Sequence, residues 1–533
     1  MVLLWGSNAR ETHPIFFHHL IKGIHNGARL YAVDPRQTSS AAWAERHLQL
    51  DVGSDIALTL SMAREIIAQK LYNPTFIERA TQGFEAFAAH VEPCTLTWGE
   101  AQTGVPAAQI AEVAHAYARA DKAMICWTLG ITEHRNAVDN VLALINLGLL
   151  CGHVGRYGSG LNPLRGQNNV QGGGDAGALP HKLPGFQDVE NAAVRERFEQ
   201  AWGCAIPPKN GLNLTQMFEA IDHGELRSVY CIGENPAQSE ADAGRTHRLL
   251  RSLDHLVVQD IFFTQTAEMA EVVLPVSAAW CESEGTVTNS ERRVQRVRKA
   301  LTPPGVARDD VWVIAELSRR MGVDLGPAEP EQLWDEMRSL SPMHTGMSWK
   351  RLEELDGIQW PCPSADHPGT PFLHERLWQE PIEGRRAAFS NVLVSAPAEA
   401  LSRDYPLRLT TGRRLDAYNT GVQTSSYTSP LHRGETLDLS PEDAAELRVE
   451  PGELVRVVSR RGQVQAPVRI DRGLKPGLCF LSFHYPDQVA TNLLTIDATD
   501  PKSGTAEFKA AAVRIEKLAP AAAEGEARGP APV

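Results

Sequence analysis

The residues best suited to chemistry lie in one stretch, Asn162 to Asp175, which reads NPLRGQNNVQGGGD. It has a single cation, Arg165, and three successive glycines at positions 172–174. Four side-chain amides accompany them, at Gln167, Asn168, Asn169 and Gln171. Glycines and amides bring hydrogen-bond donors close to a polyatomic ligand, and a guanidinium matches a carboxylate or a phosphate. We interpret Arg165 as an anion clamp; the alternative is an arginine that ties a surface loop to a neighbouring carboxylate.

This stretch shows neither a helical nor a strand period, and it lies in a polar region from about Gly152 to Gly185 that we predict to be irregular. Long irregular segments in folded proteins are usually disordered or functional. Disordered linkers are rich in Ser, Glu and Lys, whereas this region is rich in amides and glycines. Its composition therefore favours a functional loop.

Length and composition narrow the function classes. A chain of 533 residues with 43% hydrophobic and 22% charged residues predicts a soluble protein of several domains. The net charge of −13 comes without a long basic run, which argues against nucleic acid and anionic membranes as partners. No apolar run is long enough to span a bilayer, and the first residues lack the pattern of a signal peptide. These features predict a cytoplasmic location.

Cysteines and histidines give no metal motif. The eight cysteines form no CxxC pair, so the sequence predicts neither a zinc ribbon nor an iron–sulfur cluster. Scattered cysteines are typical of single buried thiols in a reducing compartment. The 18 histidines include no HExxH or comparable ligand spacing, so no residue of this chain is predicted to bind a metal.

Two similar stretches of the chain are predicted to position these residues. Each contains a strand, a Gly/Asn turn, a helix and a second strand that ends in an acidic residue. The first predicts strands at 2–5 and 30–33 around a helix at 14–25, and the second strands at 229–232 and 256–258 around a helix at 245–253. The turn asparagine and the acidic residue are 34 − 8 = 26 positions apart in the first and 260 − 235 = 25 apart in the second. In each, residues rich in hydroxyl groups follow the acidic residue.

Such βαβ units bind ligands at the carboxyl ends of their strands. We interpret the two units as related α/β domains that share one cleft, which suits a ligand with two nucleotide-like ends or two such ligands. The alternative is that two βαβ units match by chance.

The remaining chain predicts a connecting region and a β domain. Residues 326–400 are rich in Pro and Trp, and from about residue 406 short alternating strands predict a barrel. We place domains at 1–167 (a partial α/β domain), 168–325 (the second α/β domain), 326–400 (the connecting region) and 401–518 (the barrel), with a disordered tail at 519–533.

At these residues the chain resembles the large subunit of molybdenum- or tungsten-dependent formate dehydrogenases, in the molybdopterin oxidoreductase superfamily. The resemblance runs from the first residues to about Leu518 and is most specific at NPLRGQNNVQGGGD. The segments GSNARETHP, AVDPR, GENPAQSEAD, VVQDIFFTQTAEMAEVVLP and EGTVTNSERRVQ support it.

The resemblance implies two Rossmann-like α/β domains plus a C-terminal six-stranded double-psi-type β-barrel, around bis-molybdopterin guanine dinucleotide with molybdenum or tungsten. It implies that Arg165 holds formate and that Gln167 shapes the same pocket. The implied cofactor residues are Asn8, Glu11, Thr12, Asp34 and Arg36 for one dinucleotide, Asn235, Gln259, Asp260 and Asp310 for the other, and Gly412, Arg413 and Asn492 on the barrel.

The chain departs from the family pattern at its start. It lacks the upstream CxxC-type cysteines for a four-iron four-sulfur cluster, a lysine between cluster and pterin, and the Cys-His pair that ligates the metal. We therefore expect the C-terminal portion of a large subunit, inactive by itself, with unpaired strands and exposed apolar faces. The expected partners are formate, an electron-transfer subunit or diaphorase, and a missing N-terminal segment or companion chain.

Two alternatives stay open. A related molybdopterin oxidoreductase acting on another substrate is favoured if a complete chain lacks the Cys-His pair. A paralogue or partner subunit that binds the dinucleotide without redox chemistry is favoured by bound pterin without metal.

Overall fold

The computed structural model describes residues 1–326, 328–415, 417–420 and 434–518. The predicted disordered tail at 519–533 lies outside the described residues. None of the described helices is long and apolar enough to cross a membrane.

The first α/β unit is built on a parallel sheet of five strands in the order β3-β2-β1-β5-β6. Its strands, with a separate short β4, are β1 Val2–Trp5, β2 Leu30–Val33, β3 Arg46–Leu48, β4 Thr81–Gln82, β5 Met124–Trp127 and β6 Gly160–Pro163. Its helices are α1 Ala9–Thr12, α2 Pro14–His25, α3 Asp55–Ala68, α4 Pro74–Ala80, α5 Phe84–Val91, α6 Leu96–Thr103, α7 Ala107–Arg119, α8 Leu129–Thr132 and α9 Ala137–Cys151. Helix α3 is buried on nearly all sides because it packs against α6, α7 and α9.

The second α/β unit has a parallel sheet of three strands in the order β11-β10-β9. Its helices are α10 Val170–Asp175, α11 Ala192–Trp202, α12 Leu214–Asp222, α13 Pro236–Ser239, α14 Ala243–Arg251 and α15 Asp310–Arg320. Its strands are β7 Lys182–Leu183, β8 Gln187–Asp188, β9 Ser228–Ile232, β10 His255–Asp260, β11 Val272–Pro275, β12 Gly285–Thr288 and β13 Arg293–Val297.

The region between the second unit and the barrel pairs with both α/β units. It contains α16 Pro330–Leu340, α17 Trp349–Glu354, β14 Ile358–Gln359 and β15 Ala387–Ala388. Strand β14 extends the antiparallel pair β12-β13, and β15 pairs with β4 of the first unit. The domain boundaries remain predictions.

The C-terminal region forms a closed six-stranded barrel in the order β16-β20-β17-β19-β18-β21. Its elements are β16 Leu407–Gly412, β17 Leu437–Leu439, α18 Pro441–Leu447, β18 Leu454–Val458, β19 Gln463–Ile470, β20 Leu478–Ser482 and β21 Ala511–Lys517. Two pairs are parallel (β16 with β20, β17 with β19), the other four are antiparallel, and the inward side chains are buried. The mixed α/β architecture with a closed six-stranded barrel is confirmed.

Each of the two α/β units has the same hydrogen-bond network at the turn after its first strand. The Oδ1 atom of Asn8 accepts from the backbone N–H of Ser40 (3.2 Å) and from its hydroxyl (2.8 Å). The Oδ1 atom of Asn235 accepts from the N–H (3.2 Å) and hydroxyl (2.7 Å) of Thr266. The same hydroxyls accept from the backbone N–H two residues after each asparagine, at 2.8 and 3.1 Å. This correspondence agrees with the prediction of two related units.

The prediction of an irregular region from about Gly152 to Gly185 is wrong at strand β6, at helix α10 and at the two-residue strand β7. Strand β6 extends the first sheet by pairing with β5, although its residues are polar and it ends in a proline. Helix α10 contains all three glycines and begins after Asn169, whose φ is +58°. The Oδ1 atom of Asn169 accepts from the N–H of Thr288 (2.9 Å), so a contact with β12 fixes this short helix.

Candidate active site

A cavity of about 280 Å³ lies between the first α/β unit and the barrel. Its walls are the loops after β1, β2 and β5, the loop between β6 and α10, and the end of β16. Nine of the fourteen predicted site residues line it, namely Asn8, Glu11, Thr12, Asp34, Arg36, Arg165, Gln167, Gly412 and Arg413. The carboxyl ends of adjacent parallel strands meet at one edge of a sheet, and this brings the predicted residues together.

The loop after β1 is held rigidly. Asn8 binds Ser40, and the hydroxyl of Ser39 donates to Oε1 of Glu11 (2.8 Å). The hydroxyl of Thr12 donates to the carbonyl of Asn8 (3.2 Å). The half-buried polar groups of this loop thus lie at fixed positions on the cavity wall.

The loop after β2 provides a carboxyl group and a guanidinium cation. Oδ1 of Asp34 accepts from the backbone N–H of Arg36 (2.9 Å), and burial raises the pKa of this carboxyl while Arg36 opposes the rise. The Arg36 guanidinium stacks over the ring of Phe480 at 3.7 Å from its centroid. A side chain at Gly412 would press on the same ring, because a Cβ there would lie 2.9 Å from Phe480. Glycine thus leaves room for the stacked arginine.

Two buried charges, Lys509 and Glu133, and the partly buried Arg413 join the first unit to the barrel beside the cavity. The Nζ atom of Lys509 lies 2.8 Å from Oε2 of Glu133, and Nη1 of Arg413 lies 3.5 Å from Oε1 of the same carboxylate. Burial alone would raise the pKa of Glu133, but Lys509 and Arg413 together lower it below its ordinary value. Two cations against one carboxylate leave an excess of positive charge at the cavity wall.

The predicted anion clamp has an exposed side chain. Nε of Arg165 donates to Oε1 of Gln171 (3.3 Å), and within the described part of the chain no carboxylate lies within ion-pair distance of its guanidinium. Its carbonyl oxygen accepts from Nε2 of His13 (2.8 Å). The ion pair of the alternative interpretation is therefore not seen among these residues, and Gln167 lies exposed on the same rim.

Sequence reasoning missed several polar residues of the cavity, among them His13, Asp55 and Lys509. Asp55 begins α3 directly after a Gly-Ser pair, a helix-start signal that could have drawn attention to it. Its Oδ1 accepts from the indole N–H of Trp5 (2.8 Å) in a buried setting. Lys509 has no local signal, since only the closed barrel brings it to Glu133.

The other five predicted residues do not line this cavity. Gln259 is fully buried, and its Nε2 donates to Oδ1 of Asp310 (2.5 Å). Asp260 ends β10 and accepts from the N–H of Phe262 (2.9 Å). Together with Asn235 they form a second acceptor-rich group at the carboxyl ends of β9 and β10.

Asn492, on the barrel side, connects the two regions. Its Nδ2 donates to the carbonyls of Gln238 (2.8 Å) and Ser239 (3.1 Å), just after the Asn235 turn. The structure therefore places Asn492 as a contact between barrel and second unit, with its donors used by protein carbonyls.

The cavity fits a dinucleotide chemically. Carboxylates at its rim, Glu11 and Asp34, can accept from a base or a ribose, and the cations Arg36, Arg413 and Lys509 can face phosphates. Gly6 and Gly130 approach so closely that a Cβ at Gly130 would lie 2.4 Å from the carbonyl oxygen of Gly6, which keeps this part of the wall free of side chains.

Metal-ligating side chains are not clustered in the described part of the chain. Among the described residues, no group of three or more His, Cys, Asp or Glu side chains is placed to hold a metal ion. Cys151, in the Cys-Gly-His segment, is buried at the end of α9, and burial raises the pKa of its thiol to about 12. A thiol with so high a pKa is a weak metal ligand at neutral pH.

Comparisons with known proteins give two family matches and several similar proteins. The family described as molybdopterin oxidoreductase matches residues 1–320, and the molybdopterin dinucleotide-binding domain matches residues 407–512. The alpha subunit of F420-dependent formate dehydrogenase 2 from Methanococcus maripaludis is 40% identical over 97% of this chain and 76% of that protein. Formate dehydrogenase H of Escherichia coli is 35% identical over 97% of this chain and 73% of that protein.

A solved structure shares the fold. Acetylene hydratase from Pelobacter acetylenicus superposes with a TM-score of 0.75 and covers 97% of this chain and 78% of that protein. The sequence identity is 21%, so this comparison concerns the fold alone.

Proposed function

Because this chain belongs to the molybdopterin oxidoreductase family, we propose that it is the catalytic alpha subunit of a formate dehydrogenase. The reaction is HCOO⁻ → CO₂ + H⁺ + 2e⁻, with the electrons passed to an acceptor. Relatives named formate dehydrogenase, at 35–40% identity over 97% of the chain, support this substrate. The observation that carries the proposal is the exposed guanidinium of Arg165 beside a cavity rich in cofactor-type residues, with no carboxylate within ion-pair distance of it among the described residues.

The proposed role of Arg165 is to bind the formate carboxylate. A guanidinium offers a planar fork of donors, and two parallel hydrogen bonds fix both the position and the rotation of a small anion. The carbon-bound hydrogen of formate then points away from the guanidinium, into the cavity. Gln167 lies on the same rim and is proposed to narrow the space around the anion.

The remaining cavity residues are proposed to hold one molybdopterin guanine dinucleotide. Asn8, Glu11, Thr12 and Asp34 present acceptors toward base and ribose, while Arg36 and Arg413 present cations toward the pyrophosphate. When bound with its metal, this group supplies the two-electron acceptor of the reaction. We propose that Asn235, Gln259, Asp260 and Asp310 serve a second dinucleotide, because the second unit repeats the network of the first.

We also propose that a companion polypeptide, or a further segment of the protein, covers the second unit. Strand β9 is at the edge of its sheet, and its Tyr230 and Ile232 side chains are 37% and 43% exposed. In the same unit, Trp312 of α15 and Met321 after it are 46% and 76% exposed. Edge strands with exposed apolar residues favour association. This polypeptide is proposed to supply the metal ligand and a four-iron cluster that passes electrons to an electron-transfer subunit.

The test is Arg165→Ala in the complete enzyme with its subunits and cofactor. Loss of one partner of a close charge pair costs about 2–5 kcal/mol, so kcat/KM for formate is expected to fall by about 30- to 4,000-fold. The molybdenum or tungsten content is expected to stay near that of the unmodified enzyme, because Arg165 belongs to the substrate side of the cavity.

The control is Arg119→Ala, which removes an exposed arginine at the end of α7, remote from the cavity loops. Unchanged formate kinetics in Arg165→Ala would remove the substrate role from this residue. Activity with another anion but not with formate would favour a related oxidoreductase, and stoichiometric pterin without metal would favour a binding protein.

A further inference from the structure

A chain of three hydrogen bonds leads from the connecting region to Arg165. The indole N–H of Trp360 donates to Oδ2 of Asp175 (2.8 Å). Nε2 of Gln171 donates to Oδ1 of the same carboxylate (3.0 Å), and Oε1 of Gln171 accepts from Nε of Arg165 (3.3 Å). Asp175 is 1% exposed, so both its oxygens receive their donors from the protein.

The direction of this chain follows from donor chemistry. An ionised carboxylate only accepts, so Asp175 requires the NH₂ group of Gln171 on its side. The amide oxygen of Gln171 is then turned toward Arg165. The reversed amide would place two donors face to face at the guanidinium and leave an acceptor against the carboxylate. Asp175 therefore selects one of the two amide orientations.

The bond to Gln171 also sets the orientation of the guanidinium. It occupies Nε of Arg165, while the described part of the chain gives the two terminal nitrogens no hydrogen-bond partner. The main chain of Arg165 is held separately, because its carbonyl accepts from His13. Both ends of the residue are thus fixed, and the two Nη groups remain for a ligand.

The surrounding elements keep Asp175 in place. It is the last residue of α10, whose Gly172 allows close packing, since a Cβ there would lie 1.9 Å from Oδ1 of Asn169. Trp360 is held by Arg292, whose guanidinium lies 5.2 Å from the indole ring and donates to the Trp360 carbonyl. Burial raises the pKa of Asp175, and its hydrogen bonds from Gln171 and Trp360 together with the charge of Arg165 oppose that rise.

We propose that Asp175 is a positioning residue for the substrate arginine, acting through Gln171 to present the two Nη groups of Arg165 side by side to a carboxylate. This inference rests on the proposed function for the identity of the ligand. The orientation itself rests on the hydrogen bonds alone.

The kinetic test uses Asp175→Asn in the complete enzyme. An asparagine carries both a donor and an acceptor, so it no longer selects the amide orientation of Gln171. The KM for formate is expected to rise about 10-fold while kcat changes less than about threefold, because the loss falls on substrate binding. Trp360→Phe keeps the carboxylate that selects the amide orientation and removes one of its two donors, so its KM is expected to rise clearly less than that of Asp175→Asn.

A double variant separates positioning from general stability. If Asp175 acts through Gln171, then Asp175→Asn combined with Gln171→Leu should raise KM no more than Gln171→Leu alone. If the two substitutions instead raise KM by factors that multiply in the double variant, the proposal is overturned. An unchanged KM in Asp175→Asn, accompanied only by a lower melting temperature, would also overturn it.

A chemical readout keeps this test independent of the substrate assignment. Phenylglyoxal modifies accessible guanidinium groups, and the rate at Arg165 can be followed by peptide mass spectrometry. Loss of the acceptor at Nε in Asp175→Asn is expected to raise that rate about threefold, with Arg119 of the same sample as the internal reference. An equal rate in both proteins would refute the orienting role. A different outcome would separate the two proposals. If Asp175→Asn raises the modification rate but Arg165→Ala leaves formate kinetics unchanged, the proposed function is refuted and the orienting role of Asp175 stands.

Discussion

Removing Lys509 tests whether buried charges hold the barrel against the first α/β unit. At an effective dielectric constant of about 20, the 2.8 Å contact with Glu133 corresponds to a gross attraction of ~6 kcal/mol, and the 3.5 Å contact of Arg413 to ~5 kcal/mol. Desolvation offsets much of this attraction. Breaking one buried pair leaves an uncompensated charge, and we therefore expect Lys509→Met to lower the free energy of unfolding by about 3–5 kcal/mol.

The pairwise part can be isolated with a double-mutant cycle. Glu133→Gln alone leaves Lys509 and Arg413 facing each other without a carboxylate, so it also destabilises. The double variant is expected to be about 2–3 kcal/mol more stable than the sum of the single effects predicts. Urea unfolding of the cofactor-loaded enzyme, followed by tryptophan fluorescence, measures each free energy difference. Effects that add to within about 0.5 kcal/mol would refute the reasoning.

A surface pair provides the matched control. Arg29 and Glu45 also lie close, at 2.7 Å, but their side chains are 55% and 46% exposed. The same cycle with Arg29→Met and Glu45→Gln is expected to give a coupling below about 1 kcal/mol that disappears at high salt. The buried pair should keep its coupling in the same salt series.

Two further expectations concern pH and assembly. Burial raises the pKa of Glu240 to about 7 from 4.5, with Glu234 adding to the rise, so its contribution to stability is complete below pH 4.5 and is lost as pH rises through 7. Glu240→Gln should therefore stabilise the protein by about 1–3 kcal/mol at pH 8 and by nothing measurable at pH 4.5, with exposed Glu85→Gln as control and urea midpoints as the measurement. The proposed covering of the second unit predicts that the native protein, purified under mild conditions, is larger than the 58.4 kDa of this sequence. A native mass equal to that value, with no second polypeptide, would contradict the companion proposal.

Much of the fold could be predicted because its strands are apolar runs that end in Gly/Asn turns. Strand β1, strand β2 and helix α2 lie where their patterns place them, and so does the β19 strand of the barrel. Strand β3 was missed because Arg46–Leu48 has no apolar period and is ordered by pairing with β2. Strand β6 was missed for the same reason, since its polar residues form a strand only beside β5.

Some residues of the candidate site could likewise be predicted from the sequence, and others could not. The turn residues Asn8 and Asp34 stand at strand ends, where the βαβ pattern itself predicts ligand contacts, whereas Arg165 is indicated by the amides and glycines around it. The partners of Arg165 could not be predicted from the sequence. The pattern around Asp175 is that of a glycine loop, and the residue ends a helix only because of the contact with β12. Lys509 and Glu133 are distant in sequence, and only tertiary structure makes them neighbours.

The closing strand of the barrel bears on how the protein is made. Strand β21 pairs with both β16 and β18, and it is the last strand of the described chain. The barrel wall of the cavity, with Lys509 just before β21, is therefore incomplete while the ribosome is still translating the first 500 residues. The five described strands of the first sheet, in contrast, are all synthesised once β6 emerges. The strands of the α/β scaffold are thus synthesised before those of the barrel, and the barrel wall of the cavity is complete only after synthesis of β21.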